Sequence, residues 1–305
     1  TEYGFVINGT SGELTGITVS AGDINGDSYD DIIIGAPYGQ ASNQGTAYVV
    51  FGTSDDFGAT SLTLSSMTAN QGFKLDGLDN NGHLGLGVTS AGDINGDGYA
   101  DFLVAAPNAD PNNVHSAGNT YVVFGSKESF GTSLDLSALG SKGITLAGLS
   151  AEEHSGRVVS SIGDINGDGL DDFAISAPNA DVGDQLQAGK VYIVYGDSGA
   201  QFTALGDANG FTILGADAYD HAGLSVAGAG DVNGDGLADF LVGAMHGEAS
   251  NNTNNDGQVY LIFGNASGFD TSLDLGSLNG SNGYRFDGVS GNDLFGANVA
   301  SKSGD

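Results

Sequence analysis

The chain contains no cysteine and no tryptophan, and only 7 of its 305 residues are lysine or arginine. Without cysteine there is no disulfide framework and no thiolate chemistry, so stability has to come from strand packing and bound metal. The seven basic residues face 38 acidic ones, which leaves a net charge of −31. Phosphate recognition depends on Lys and Arg, so this acidity excludes nucleic acid and anionic membranes as partners. No stretch of 18 apolar residues is present, and direct membrane insertion is not expected. Thr1-Glu2-Tyr3 does not open a signal peptide, so any secretion signal is expected to lie outside the chain. Catalytic signatures are missing too: there is no Gly-x-Ser-x-Gly elbow, no Walker loop and no Gly-x-Gly-x-x-Gly after a strand.

What the chain has is repetition. The segment Asp23-Ile24-Asn25-Gly26-Asp27-Ser28-Tyr29-Asp30-Asp31 recurs at 93–101, 164–172 and 231–239, with first aspartates 70, 71 and 67 residues apart. Each copy, loops 1 to 4, puts oxygen-bearing side chains at positions 1, 3, 5 and 9. In chain order these are Asp23, Asn25, Asp27 and Asp31; Asp93, Asn95, Asp97 and Asp101; Asp164, Asn166, Asp168 and Asp172; and Asp231, Asn233, Asp235 and Asp239. A hard cation such as Ca²⁺ needs such oxygen ligands, and the carbonyls at position 7 (Tyr29, Tyr99, Leu170, Leu237) are the expected backbone donors. Four bound Ca²⁺ are expected, each surrounded by three carboxylates that repel one another without it. Because the loops belong to different repeats, emptying one is expected to leave the other three occupied.

An EF-hand loop opens the same way but needs Glu at position 12 and a helix on either side. Position 12 is here Ile34, Val104, Ile175 or Val242, inside short β-branched or aromatic runs, so each loop joins two strands. Glycine at position 4 in all loops, and at position 6 in the last three, lets the chain turn. Ser28 holds position 6 in loop 1, where a positive φ would strain it.

Four short strands can be read per repeat, the count for one propeller blade. One opens the repeat, as in Gly72-Phe73-Lys74-Leu75-Asp76-Gly77; one leads into the loop, as from Leu86 to Gly92. A third follows the loop and ends at Gly35-Ala36-Pro37 or its counterparts, and a fourth runs from Ala47 to Gly52 in the first repeat. With these residues in view, the chain resembles the FG-GAP repeats that build the propeller headpiece of integrin alpha subunits. Such repeats also occur in bacterial surface proteins and some secreted phospholipases. The marks are the Phe/Leu-Gly or His-x-Gly before the inner strand, the Asp-x-Asn-x-Asp-x-x-x-Asp loop and the Gly-Ala-Pro after it. Ala105, Ser176 and Met245 depart from the last element.

The resemblance implies an all-β fold: a β-propeller of four-stranded antiparallel blades with calcium-binding loops between inner strands. The units read as 4–71, 72–142, 143–209 and 210–282, with a partial unit at 283–305. Residues 294–299 read as a further inner strand, and Gly304-Asp305 as the start of a fifth loop. Residues 1–305 are thus expected to be part of a larger propeller, which the remainder of the parent chain completes. The implied role is a non-catalytic adhesion or ligand-binding module of a bacterial protein, secreted or on the cell surface, with an extracellular protein or glycan as partner. Alternatives are an accessory domain of a secreted, phospholipase-like hydrolase and a spacer in a large adhesin.

Other features have plain readings. His83, His154 and His221 stand ten residues before the first loop aspartate, where Glu13 stands in the first repeat. A ring of histidines could bind a transition metal, but a histidine bonding nearby backbone is the simpler expectation. Glu152-Glu153 and Asp55-Asp56 read as solvated charge rather than a glycosidase pair. Residues 108–116 and 248–256 read as long polar loops; binding specificity usually resides in such loops, but plain solvated loops are the simpler expectation.

Overall fold

A computed structural model of the chain describes residues 4–54, 61–206, 209–248 and 255–300. Its strands, in chain order, are β1 (Val6–Asn8), β2 (Val19–Gly22), β3 (Asp31–Ala36), β4 (Thr46–Val50), β5 (Ser61–Thr63), β6 (Gly72–Asp76) and β7 (Gly87–Gly92). Next come β8 (Asp101–Ala106), β9 (Asn119–Val123), β10 (Ser133–Leu134), β11 (Gly143–Ala147), β12 (Val159–Gly163), β13 (Asp172–Ala177) and β14 (Lys190–Val194). The last are β15 (Gly210–Leu214), β16 (Ser225–Gly230), β17 (Asp239–Ala244), β18 (Gln258–Ile262), β19 (Ser272–Asp274) and β20 (Gly283–Asp287).

Four antiparallel blades result: β2-β3-β4-β6, β7-β8-β9-β11, β12-β13-β14-β15 and β16-β17-β18-β20. The fold is all-β and built of propeller blades, as the sequence implies. The innermost strands β2, β7, β12 and β16 lie side by side in that order. The second strand of each blade is apolar on both faces because a blade inside the array has a neighbour on each side. All six residues of β8 and of β13 are accordingly buried.

Sequence repeat and blade are out of phase by one strand. Gly72–Asp76 opens the second repeat as read, yet hydrogen-bonds to β4 and closes the first sheet. The blades also carry parallel additions that the sequence does not announce. β10, from the second blade, pairs with β6 of the first, and β19, from the fourth, pairs with β15 of the third. β5 pairs with β1 in the same sense. These segments are two or three residues long, too short for any hydrophobic period to show.

No strand forms over 294–300; Phe295 makes only an isolated bridge to Gly257, as Leu84 does to Gly45. A strand there would need a second strand to pair with, and none stands beside it among the described residues. Asp55-Asp56, 249–254 and Gly304-Asp305 lie outside the described residues.

The core is a series of inter-blade layers. Between the first two blades sit Ile33, Val49, Phe73, Leu75, Phe102 and Val104, all fully buried. Phe73 stacks on Phe130 at 4.5 Å, and Phe211 on Phe269 at 4.2 Å in the same place two blades on. Phe73→Ala is expected to cost about 3–5 kcal/mol, measured by denaturant unfolding, because a rigid layer cannot collapse into the hole.

The two end faces differ from the layers between. Val19 is 63% exposed, whereas Val88, Val159 and Val226 are buried at matching positions. At the other end Val232 is 55% exposed, whereas Ile24, Ile94 and Ile165 are fully buried.

Candidate metal-binding loops

Each loop leaves an innermost strand and delivers the first residue of the second strand. That residue is position 9: Asp31, Asp101, Asp172 or Asp239, each completely buried. Its Oδ2 accepts the N–H of position 2 at 2.9, 3.1, 2.8 and 2.8 Å in chain order. Its Oδ1 accepts the N–H of the glycine that ends the third strand region, from Gly52, Gly125, Gly196 and Gly264, at 2.8–2.9 Å. One carboxylate thus ties the turn to two strands of its own blade.

Positions 1, 3 and 5 organise the turn itself, as loop 2 illustrates. Asp93 Oδ1 accepts the N–H groups of Gly96 and Asp97 at 2.7 and 3.0 Å, and its Oδ2 that of Gly98 at 2.8 Å. Asn95 Oδ1 accepts from Asp97 N, and Asp97 Oδ1 from Tyr99 N. The same bonds recur in the other loops. Ser28 does adopt φ 71°, where Gly98, Gly169 and Gly236 have 88–90°. A non-glycine residue there costs roughly 1 kcal/mol, so Ser28→Gly is expected to raise the unfolding free energy by about that amount.

Burial is the main force on the position 9 carboxyls of loops 1 to 3. It raises Asp31 to about 6 and Asp101 and Asp172 to about 7, opposed by their backbone N–H bonds and reinforced by neighbouring loop carboxylates such as Asp27, Asp97 and Asp168. No Lys or Arg enters this balance.

The carboxylates do not crowd around one point as expected. Among the described residues, no three His, Cys, Asp or Glu side chains converge where they could share a metal ion. The tight turn aims its N–H groups inward, and the carboxylates are turned onto them. In loops 3 and 4 the asparagine Nδ2 also donates to Asp168 and Asp235 Oδ2, both at 2.9 Å. The donor set still suits a hard cation: it is all oxygen, each loop brings three carboxyl groups, and the position 1 Oδ2 and position 5 Oδ1, which each accept one N–H, keep a second lone pair.

Sequence reasoning missed position 8. Asp171 Oδ2 accepts the N–H of Asp93 at 3.1 Å, from the preceding blade. The doubled aspartate Asp171-Asp172 is its only trace in the sequence.

The histidine positions need a correction. Blades two to four carry a register shift before the loop, for example between Ser90 and Gly92, whereas Gly22 pairs directly with Asp31 in the first. Counting ten residues back therefore lands on Glu13, but the structural match is Leu14, which shares the positive φ of His83, His154 and His221. Glu13 matches Glu153 instead: each bonds a tyrosine hydroxyl of the blade whose innermost strand it precedes, Tyr48 at 3.2 Å and Tyr192 at 3.1 Å. Glu153 is thus buried, not solvated. His221 Nδ1 donates to the Pro178 carbonyl at 3.1 Å, the simple expectation. His83 and His154 instead bond one side chain, Asn108, each at 2.9 Å.

The family model described as FG-GAP repeat matches residues 15–50, 87–123, 155–194 and 222–262. The chain belongs to the FG-GAP repeat family. Each match spans the three inner strands of a blade and the loop between the first two. Relatives include bovine phosphatidylinositol-glycan-specific phospholipase D, 33% identical over 53% of this chain and 18% of the relative. Integrin alpha-PS2 of Drosophila melanogaster is 34% identical over 38% of this chain and 8% of its own length. Integrin alpha-5 of Xenopus laevis is 27% identical over 75% of this chain and 20% of its own. The chain therefore spans a fifth or less of these relatives. No helix among the described residues is long and apolar enough to cross a membrane.

Proposed function

We propose that this FG-GAP chain is a calcium-loaded propeller segment that serves outside the cell as a non-catalytic adhesion or ligand-binding module. The observation that carries it is the fourfold loop, in which Asp31, Asp101, Asp172 and Asp239 are buried and held by the same two strands each time. Positions 1, 3, 5 and 9, with the position 7 carbonyl, would hold the ion. When bound, Ca²⁺ supplies positive charge to an acid-rich turn. Sites of this ligand type in extracellular modules bind at about 10⁻⁴ to 10⁻³ M, so they fill only where calcium is near millimolar. This supports a secreted or cell-surface location. The likeness to integrin alpha chains supports adhesion, and the partner class is an extracellular protein or glycan.

The likeness to a phospholipase D supports a second reading, an accessory domain of a secreted hydrolase. Under either reading the exposed end faces are covered by further blades, because the same positions are buried wherever a blade has a neighbour. A glycan and extracellular-protein array probed with and without calcium tests the adhesion reading. Binding that chelator abolishes is expected; an array blank in both conditions overturns it.

A further inference from the structure

Adjacent loops touch, and they touch through the parts that would hold the ion. The side chain at position 7 of each loop lies over the position 4 glycine of the loop before it. A Cβ built on Gly26 would collide with the Tyr99 ring, one on Gly96 would press on Leu170, and one on Gly167 would press on Leu237. Gly234 in loop 4, the last loop among the described residues, has open space there.

Backbone bonds join the same pairs. The N–H at position 8 donates to the position 1 carbonyl of the preceding loop: Ala100 to Asp23 at 3.1 Å, Asp171 to Asp93 at 3.4 Å and Ala238 to Asp164 at 3.0 Å. A third link uses consecutive peptides. Gly125 N–H holds Asp101 Oδ1 of loop 2, while the next N–H, of Ser126, holds the Ile24 carbonyl of loop 1 at 2.9 Å. Gly196 and Asp197 do the same for loops 3 and 2, and Gly264 and Asn265 for loops 4 and 3. The peptide that fixes the closing carboxylate of one loop is therefore chained to the peptide that fixes the loop before.

We infer that neighbouring calcium loops are coupled in a line, so that filling one raises the affinity of the loop on each side; this rests on the calcium reading above. An ion drawn to the position 7 carbonyl and the position 9 carboxylate orders the residues that also brace the preceding loop. The second ion then meets a loop already partly ordered. Linkage makes the effect reciprocal: whatever loop 3 does for loop 2, loop 2 does for loop 3. The position 7 side chain is a positioning residue for a site it does not ligate. On this inference the loops do not fill independently of one another.

The test is amide hydrogen exchange of each loop in the whole chain as calcium is titrated, with Asp97→Ala to impair loop 2. The midpoints of loops 1 and 3 are expected to rise about fivefold, and that of loop 4 by less than twofold. Leu170→Ala leaves every ligand atom in place and removes the brace on Gly96; it is expected to raise the loop 2 midpoint while loop 1 moves least. Protection of β8 and β13 in the same samples checks the fold, and if Asp97→Ala unfolds, Leu170→Ala decides alone. Unchanged neighbouring midpoints in the folded variants overturn the coupling. Loops that show no calcium-dependent protection even in the unsubstituted chain overturn the calcium reading itself.

Discussion

Chelating calcium is expected to lower the melting temperature by about 4–12 °C. At roughly 1 mM calcium, a site with a dissociation constant of about 10⁻⁴ to 10⁻³ M contributes on the order of 0.4–1.4 kcal/mol through mass action. Four sites give about 2–6 kcal/mol, and a chain of this size shifts by roughly 2 °C per kcal/mol. Calorimetric titration should count four ions per chain. Coupling between loops would make the loss on chelation steeper in calcium than four independent sites allow. A melting curve indifferent to chelator, with no ion uptake, sinks the prediction.

Asp172→Ala should destabilise the protein by about 2–6 kcal/mol even under chelator. It strips the acceptor from the N–H groups of Ile165 and Gly196, and each buried donor left unsatisfied costs about 1–3 kcal/mol. Relief of a buried carboxyl already pushed up to about 7 offsets part of this. Asp168→Ala is the contrast. Its Oδ1 accepts only from Leu170 on the exposed side of the turn, so its cost should be small under chelator and grow with calcium. Parallel urea titrations in both conditions separate the two; equal costs for both variants under chelator would show that position 9 has no structural role of its own.

The loops were legible because their chemistry is local. Four oxygen-bearing positions and two turn positions lie within nine residues, so spacing alone specifies the turn, and Ser28 at φ 71° behaves as its position requires. What the sequence concealed is set between repeats. Tyr99 over Gly26 and Asp171 on Asp93 depend on how one blade seats on the next, which no period along the chain encodes. The Glu13 misplacement has a different origin. The first blade lacks one residue of a β-bulge, and counting along the chain cannot see a residue missing from a ladder. Glu153 likewise reads as a loop acid until Tyr192 of its own blade closes over it.

The phase shift between repeat and blade has a consequence for synthesis. A ribosome releases the three inner strands of a blade about 15–21 residues before the strand that closes their outer edge. At about 5–20 residues per second, that edge stands open for roughly one to four seconds. β10 and β19 then arrive later still, each from the next blade, to cap the sheet just finished. The chain therefore matures as a ratchet, in which every newly emerged repeat locks its predecessor and leaves its own edge for the one to come.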